Sequence, residues 1–258
     1  MTFKHITSRD NPIYKNLRKL ADNSRERRKQ KLTLLDGAHL VTAYMDHFGE
    51  PELLIIPEGQ SSYEVTGLIQ QLEHLSTTMF PTLMFVDLTP VASPTGLLAL
   101  VKIPELEILE KPQFVLMLED IQDPGNLGSM LRSAAAAGVD VVYLSEGCTD
   151  VWSPKALRGG QGAQFVLPVV ERTDLVKIAE NFEGLTLATT LDGDALYSFD
   201  LKQPVAFIIG NEGAGLSDKL VRSAEREVSI PMADNVESLN AAAAATICLF
   251  ERVRQTKF

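Results

Sequence analysis

The sequence predicts an α/β protein in two parts. Three observations carry that reading. Short apolar runs of strand length alternate along the chain with segments of helical character. A polar stretch bracketed by Ile103-Pro104 and Lys111-Pro112 interrupts the alternation and reads as a linker. Beyond it, FVLMLEDIQDPGNLGSMLRSAAAAG (114–138) sets a strand, a polar loop and a helix in direct succession. That is the repeating unit of parallel α/β sheets, which gather ligands at the carboxyl ends of their strands. The chain accordingly divides into a domain over 1–103, a linker over 104–111 and a domain over 112–258.

In the first domain, ITSRDNP (6–12) is a capping region ahead of a helix over 13–22. A basic helical segment spans 24–31. A strand over 32–36, a helix over 37–48, a short strand over 53–56, a helix over 65–75 and a strand over 83–86 follow. Charge is distributed unevenly. The whole chain carries −10, yet residues 1–31 hold ten basic residues against three acidic ones, a net +7 that leaves −17 elsewhere. This asymmetry is the footprint expected for a polyanion, with Lys4, Arg9, Arg18, Arg25, Arg27 and Arg28 among the candidate phosphate contacts. A solvated helix face is the plainer alternative.

In the second domain, the apolar run 114–118 ends in Glu119 and Asp120. Asp123-Pro124-Gly125-Asn126 then makes a turn, and a helix over 127–137 closes at Gly138. Arg132 is the one charge on this alanine-rich helix. Strands follow over 139–144, 165–170, 185–190, 205–209 and 228–230, with a helix over 175–181. Ser153-Pro154 is a good N-cap and first-turn pair. The stretch 158–163 (RGGQGA) either cradles phosphate or lets two elements pack; it lacks the ending of a P-loop. The run GNEGAGLS (210–217) follows a buried strand, and its spacing is wrong for a dinucleotide fingerprint. Finally Ser238-Leu239-Asn240 opens a helix that is almost all alanine at its start and runs to about 254.

Composition excludes several classes. With 45% hydrophobic and 22% charged residues, the chain is typical of globular proteins. No apolar run spans a bilayer, and the amino terminus lacks the core of a signal peptide. Cys148 and Cys248 stand alone and fit a reducing cytoplasm. The four histidines form no ligand pattern, so no metal is expected.

Three segments together resemble the SpoU (TrmH-like) RNA methyltransferases of the SPOUT superfamily. Asp120, Asp123-Pro124-Gly125-Asn126-Leu127-Gly128, Arg132 and Gly138 are similar to motif 1. The run 210–217 is similar to motif 2, and Pro231 with Glu237-Ser238-Leu239-Asn240 to motif 3. One departure stands in motif 3, where Ala241-Ala242-Ala243 replaces the usual Val-Ser-Val and a hydroxyl is lost. Weaker signatures, among them SPTGLLALV from Ser93, resemble the L30e-like substrate-binding domain often fused to these enzymes.

The resemblance implies a parallel α/β sheet with a deep C-terminal trefoil knot, preceded by a small L30e-like α/β domain. It implies methyl transfer from S-adenosyl-L-methionine to a ribose 2′-hydroxyl of ribosomal or transfer RNA. Thr190, Leu191, Ile209, Gly210, Asn211, Glu212, Gly213, Gly215, Ile230, Met232, Ser238 and Leu239 would hold the cofactor. Asn126, Arg132, Glu212, Ser238 and Asn240 would act on the substrate. Arginine does not deprotonate in proteins. Arg132 is therefore read as orienting RNA phosphate and stabilising the forming alkoxide, with the base unassigned. Glu212 is either that base or an orienter of Arg132. For Asn126 a turn, and for Ser238 an N-cap, are the plain alternatives. A homodimer through the second domain is implied too, and the apolar breadth of the helices over 127–137 and 241–250 suits burial on two sides. Two other classes compete: a non-catalytic RNA-binding protein with a decayed methyltransferase domain, and a nucleotide-dependent enzyme of small metabolites.

Overall fold

The computed structural model describes residues 3–59, 61–89, 94–234 and 236–257. In chain order the elements are β1 (Phe3–His5), α1 (Pro12–Asp22), α2 (Ser24–Gln30), β2 (Leu32–Asp36), α3 (Ala38–Phe48), β3 (Leu53–Pro57), α4 (Tyr63–Gln71), β4 (Thr77–Phe80), α5 (Thr82–Val86) and β5 (Leu98–Lys102). There follow β6 (Phe114–Leu118), α6 (Pro124–Ala137), β7 (Val141–Leu144), α7 (Pro154–Gly160), β8 (Val169–Val170), α8 (Leu175–Asn181), β9 (Leu185–Ala195), β10 (Val205–Ile209), α9 (Asp218–Ser223), β11 (Arg226–Ser229) and α10 (Ala241–Lys257). Ser93, which opens one of the weaker signatures, lies outside the described residues, as does Asn235.

The chain forms two compact units. One comprises Met1–Glu105 with Trp152–Phe165, the other Leu106–Val151 with Val166–Phe258. The first has a five-stranded sheet in the order β1-β4-β3-β5-β2. Its β1, β4 and β3 run parallel, while β5 is antiparallel to both β3 and β2. Helix α1 starts where Asn11 accepts from the Ile13 N–H and Pro12 takes the first turn. Its Tyr14, Leu17 and Leu20, three residues apart, are buried against Leu34, Ile55, Phe80 and Leu98.

Residues 152–165 belong to this first unit, although they lie between strands of the other. Thr33 Oγ1 donates to the Trp152 carbonyl at 2.7 Å, and Phe165 meets Tyr44 edge-on at 5.6 Å. Arg158 Nη1 lies 3.4 Å from Asp36 Oδ2, whose side chain is fully buried. The glycines of 158–163 serve this packing. Gly162 sits at φ +90°, and a Cβ on it would touch Ala43. A Cβ on Gly160 would collide with the Gln164 side chain at 2.2 Å.

Two expected strands are corrected. The run over 83–86 is helix α5: its Met84 and Phe85 are buried while Leu83 and Val86 face out, and the strand is the preceding Thr77–Phe80. Of 165–170, only Val169–Val170 is strand, preceded by a 3-10 turn at Ala163–Phe165.

The second unit has six parallel strands in the order β11-β9-β10-β6-β7-β8. Every residue of β6 and β10 is buried, which explains their unbroken apolar runs. Helices α6 and α10 pack on each other, joined by a Ser133–Thr246 hydroxyl hydrogen bond of 2.7 Å. Each therefore has the other as a neighbour within its own chain.

Where β11 leaves its register, the sheet opens. Glu227 pairs with Ala188, but the next residue, Val228, pairs with Asp194. Residues 189–193 of β9 are left out of the ladder with β11 and bow outward, the Ser229 hydroxyl donating to the Gly193 carbonyl at 2.7 Å. Gly193 allows the strands to rejoin, since a Cβ there would stand 2.5 Å from the Val228 nitrogen.

Candidate active site

A cavity of about 550 Å³ lies where β9 bows out, bounded by the loops after β10 and before α10. It is lined by all twelve residues expected from the sequence to hold the cofactor: Thr190, Leu191, Ile209, Gly210, Asn211, Glu212, Gly213, Gly215, Ile230, Met232, Ser238 and Leu239. Its size suits a nucleoside-sized molecule. The Thr190 hydroxyl is buried there without a hydrogen-bond partner among the described residues, so it offers one to a ligand. Asp192 and Glu237 also line the cavity, and the motif reading did not single them out.

The loop after β10 is held by the acidic pair that ends β6. Glu119 accepts from both the N–H and the hydroxyl of Ser217 at 2.7 Å. Asn211 donates through Nδ2 to the Asp120 carbonyl at 2.8 Å, while its Oδ1 accepts from the Gly213 and Ala214 N–H groups at 2.8 and 2.9 Å. The loop is thus an Asx turn, and Asn followed by Glu-Gly was its signal in the sequence. Gly210 is glycine because the loop folds back on it: a Cβ would stand 2.4 Å from the Gly215 carbonyl carbon. Close approach of the chain to itself, rather than to a ligand, sets that residue. Asp120 itself sits at φ +54°, anchored by Ser145, whose hydroxyl donates to its carboxylate at 2.6 Å.

Three of the expected catalytic side chains form one directed chain of hydrogen bonds. Asn240 is the N-cap of α10, its Oδ1 accepting from the Ala242 and Ala243 N–H groups at 2.9 and 3.3 Å. Its Nδ2 must then donate, and it does so to Asn126 Oδ1 at 3.2 Å. That orientation leaves Asn126 Nδ2 to donate to Glu212 Oε1 at 2.8 Å. The cap fixes the first amide, the first fixes the second, and the carboxylate terminates the chain. Asn126 also has the plain turn position expected of it, its N–H donating to the Asp123 cap at 2.9 Å.

Other assignments change. Ser238 is not the cap of α10, because Asn240 is. Glu212 does not orient Arg132: its bonded partner is Asn126. Arg132 is exposed on α6 and makes no hydrogen bond or ion pair with any described residue, so its guanidinium is free for a substrate. Among the proposed RNA contacts, Lys4, Arg9, Arg18, Arg25 and Arg28 are exposed. Arg27 is only 3% exposed and its guanidinium donates to the Leu20 and Ala21 carbonyls, so it joins α2 to α1 and is withdrawn from the RNA surface. No group of three His, Cys, Asp or Glu side chains among the described residues is placed to hold a metal. No described helix is long and apolar enough to cross a membrane.

Residues 113–250 match the SpoU rRNA Methylase family. The chain is 34% identical to the 23S rRNA (guanosine(2553)-2′-O)-methyltransferase RlmP of Bacillus subtilis, over 96% of this chain and 98% of that protein. It is 31% identical to the 23S rRNA (uridine(2479)-2′-O)-methyltransferase of Streptomyces viridochromogenes, over 98% and 92%. The crystal structure of the SpoU methyltransferase AviRb from Streptomyces viridochromogenes with the cofactor AdoMet superposes with a TM-score of 0.82, at 28% identity, covering 95% of this chain and 98% of that one.

Proposed function

The chain belongs to the SpoU rRNA methylase family, and we propose that its site transfers a methyl group from S-adenosyl-L-methionine to a ribose 2′-hydroxyl of ribosomal RNA. The observation that carries this is the meeting of a nucleoside-sized cavity with the Asn240–Asn126–Glu212 chain: Glu212 belongs to both. A decayed methyltransferase would have no reason to keep two amides and a carboxylate in register.

The cofactor supplies an electrophilic methyl on a sulfonium. The twelve lining residues would hold it, with Thr190 giving its unpartnered hydroxyl and the 210–215 loop its backbone. Asn126 and Asn240 present oriented amides to the substrate ribose. Glu212 keeps Asn126 in that orientation, which is a positioning role. Arg132 binds the adjacent RNA phosphate and stabilises the alkoxide as the hydroxyl proton passes to solvent water. Ser238, exposed at the cavity wall, contacts the substrate or the reactive loop. The exposed cations Lys4, Arg9, Arg18, Arg25 and Arg28 take backbone phosphates.

The second unit is proposed to carry the family's trefoil knot and to pair with a second copy, and the first unit to be L30e-like. Exposed Val236, in the loop before α10 and outside the cavity, supports the pairing, because a mate would cover it. Unpaired Cys148 and Cys248 accord with a cytoplasmic setting. RlmP acts on a guanosine and the Streptomyces relative on a uridine at nearly equal identity, so the target base is a separate question. Mapping ribose methylation in ribosomal and transfer RNA from cells with and without the protein tests the proposal. One lost site in ribosomal RNA is the expected result; unchanged ribosomal RNA would refute it.

A further inference from the structure

A second cavity, of about 400 Å³, lies on the first unit and is lined by Arg9, Lys15, Arg18 and Lys19, with Tyr14 and a single acid, Asp87. Asp87 Oδ2 accepts from the Tyr14 hydroxyl at 3.0 Å and pairs with Arg9 Nη2 at 2.6 Å. The Arg18 guanidinium donates to the Asp87 backbone carbonyl. Tyr14 is buried, its ring edge-on to Phe80 at 5.5 Å, so Asp87 is anchored to the core. Burial and the neighbouring carboxylate push the Tyr14 phenol up, which keeps it a donor.

The other acids nearby are held differently. Asp10 pairs with Lys15 at 2.7 Å and Asp22 with Arg18 at 2.8 Å, but their side chains are 92% and 58% exposed. Such pairs are weak and exchange readily. Lys19 has no side-chain partner among the described residues. Lys15, Arg18 and Lys19 share one face of α1 through their i, i+3 and i+4 spacing.

We propose that this cavity is a cup for a phosphodiester of the RNA backbone, and that Asp87 and Tyr14 are positioning residues that hold Arg9 beside Arg18. The incoming phosphate displaces Asp10 and Asp22, and Asp87 stays. The inference rests on RNA being the substrate.

The test exploits a sign. Asp87→Asn removes a negative charge from an RNA-facing surface, so charge alone would tighten binding. The cup requires the opposite. Fluorescence anisotropy of a labelled ribosomal RNA hairpin over a salt series should show several-fold weaker binding, and a log–log salt slope smaller by about one. Tyr14→Phe should act in the same direction. Arg9→Ala and Lys19→Ala, at exposed positions that leave the core intact, should each lower the slope by about one as well. Affinity for S-adenosyl-L-methionine should be unchanged in all four. Equal or tighter RNA binding by folded Asp87→Asn, or an unchanged slope in Arg9→Ala and Lys19→Ala, would overturn the cup alone. A wild-type protein that bound the hairpin with no salt dependence would instead remove RNA phosphate recognition by this unit altogether.

Discussion

The two units use polar groups in opposite ways. On the first, the proposed RNA-facing surface consists of full charges on long side chains, held chiefly by exposed or half-buried acids and a backbone carbonyl. In the second, the Asn240–Asn126–Glu212 chain consists of neutral amides and one carboxylate, each fixed by at least one hydrogen bond. Long flexible cations suit an RNA backbone, whose charge is regular and whose shape varies. Fixed amides suit a single ribose hydroxyl, where a small misplacement costs much of the rate. Losses on the first surface should therefore be graded and salt-dependent, and losses in the second steep and indifferent to salt.

Arg132 is the test case for that division, being a free cation in the second unit. Arg132→Ala should lower methyl transfer by at least about 100-fold, the scale of an oxyanion-stabilising donor, while calorimetry shows unchanged cofactor binding. Arg132→Lys should also fail, because a point charge does not replace a fork of donors. Activity within a few-fold of wild type would place Arg132 with the graded cations of the first unit.

A smaller effect is expected at Asn240, where one side chain does two jobs. Asn240→Ala removes the α10 cap, at about 1 kcal/mol, and releases Asn126. Asn240→Asp restores the cap and cannot donate to Asn126. Thermal melts should therefore separate the two variants, while turnover assays should find both impaired. Recovery of turnover in Asn240→Asp would show that the cap alone matters.

Smaller again are the exposed cations of α2. Arg25→Gln and Arg28→Gln should each weaken RNA binding slightly and lower the salt slope by about one or less, with turnover at saturating RNA unchanged. Removing residues 1–31 outright is a poor test of this surface, because it takes Tyr14, Leu17 and Leu20 out of the core. The least change is expected from thiol reagents. Burial pushes the Cys248 thiol up to about 12, so at neutral pH it stays protonated and inert in the folded protein. Labelling at Cys248 should appear only with denaturant, as mass spectrometry of the modified peptide would show.

Much of the second unit was legible in the sequence for a physical reason: strands buried on both faces read as plain apolar runs, and the polar loops at their ends carry the site. The twelve residues that the resemblance assigned to the cofactor lie in such loops or at strand ends, apart from Thr190 and Leu191, which sit where β9 bows out. The bonding inside the site was not legible. Nothing in a linear pattern says that Asn126 meets Glu212, 86 positions away, rather than Arg132 on its own helix. The first unit was read less well. TTMF, the strand β4, shows two threonines where a buried strand usually shows valine or isoleucine, whereas the helix LMFV shows a strand-like apolar run. Short apolar runs cannot be assigned by periodicity alone. Arg27 looked like its basic neighbours until its burial was seen, because charge patterning does not distinguish a guanidinium that caps carbonyls from one that faces water. That residues 152–165 fold with the first unit rests on long-range contacts such as Thr33 to Trp152 and Phe165 to Tyr44, which leave no local trace.

The most direct measurement is the identity of the nucleoside that receives the methyl group. The protein would be incubated with S-adenosyl-L-methionine carrying an isotopic methyl and with ribosomal RNA lacking the modification. The RNA would then be digested to nucleosides and the labelled species identified by mass spectrometry. The expected result is one labelled 2′-O-methylnucleoside, lost in Arg132→Ala and reduced in Asn240→Ala. Label on a base, or no label with folded protein and bound cofactor, would contradict a site built to hold a ribose.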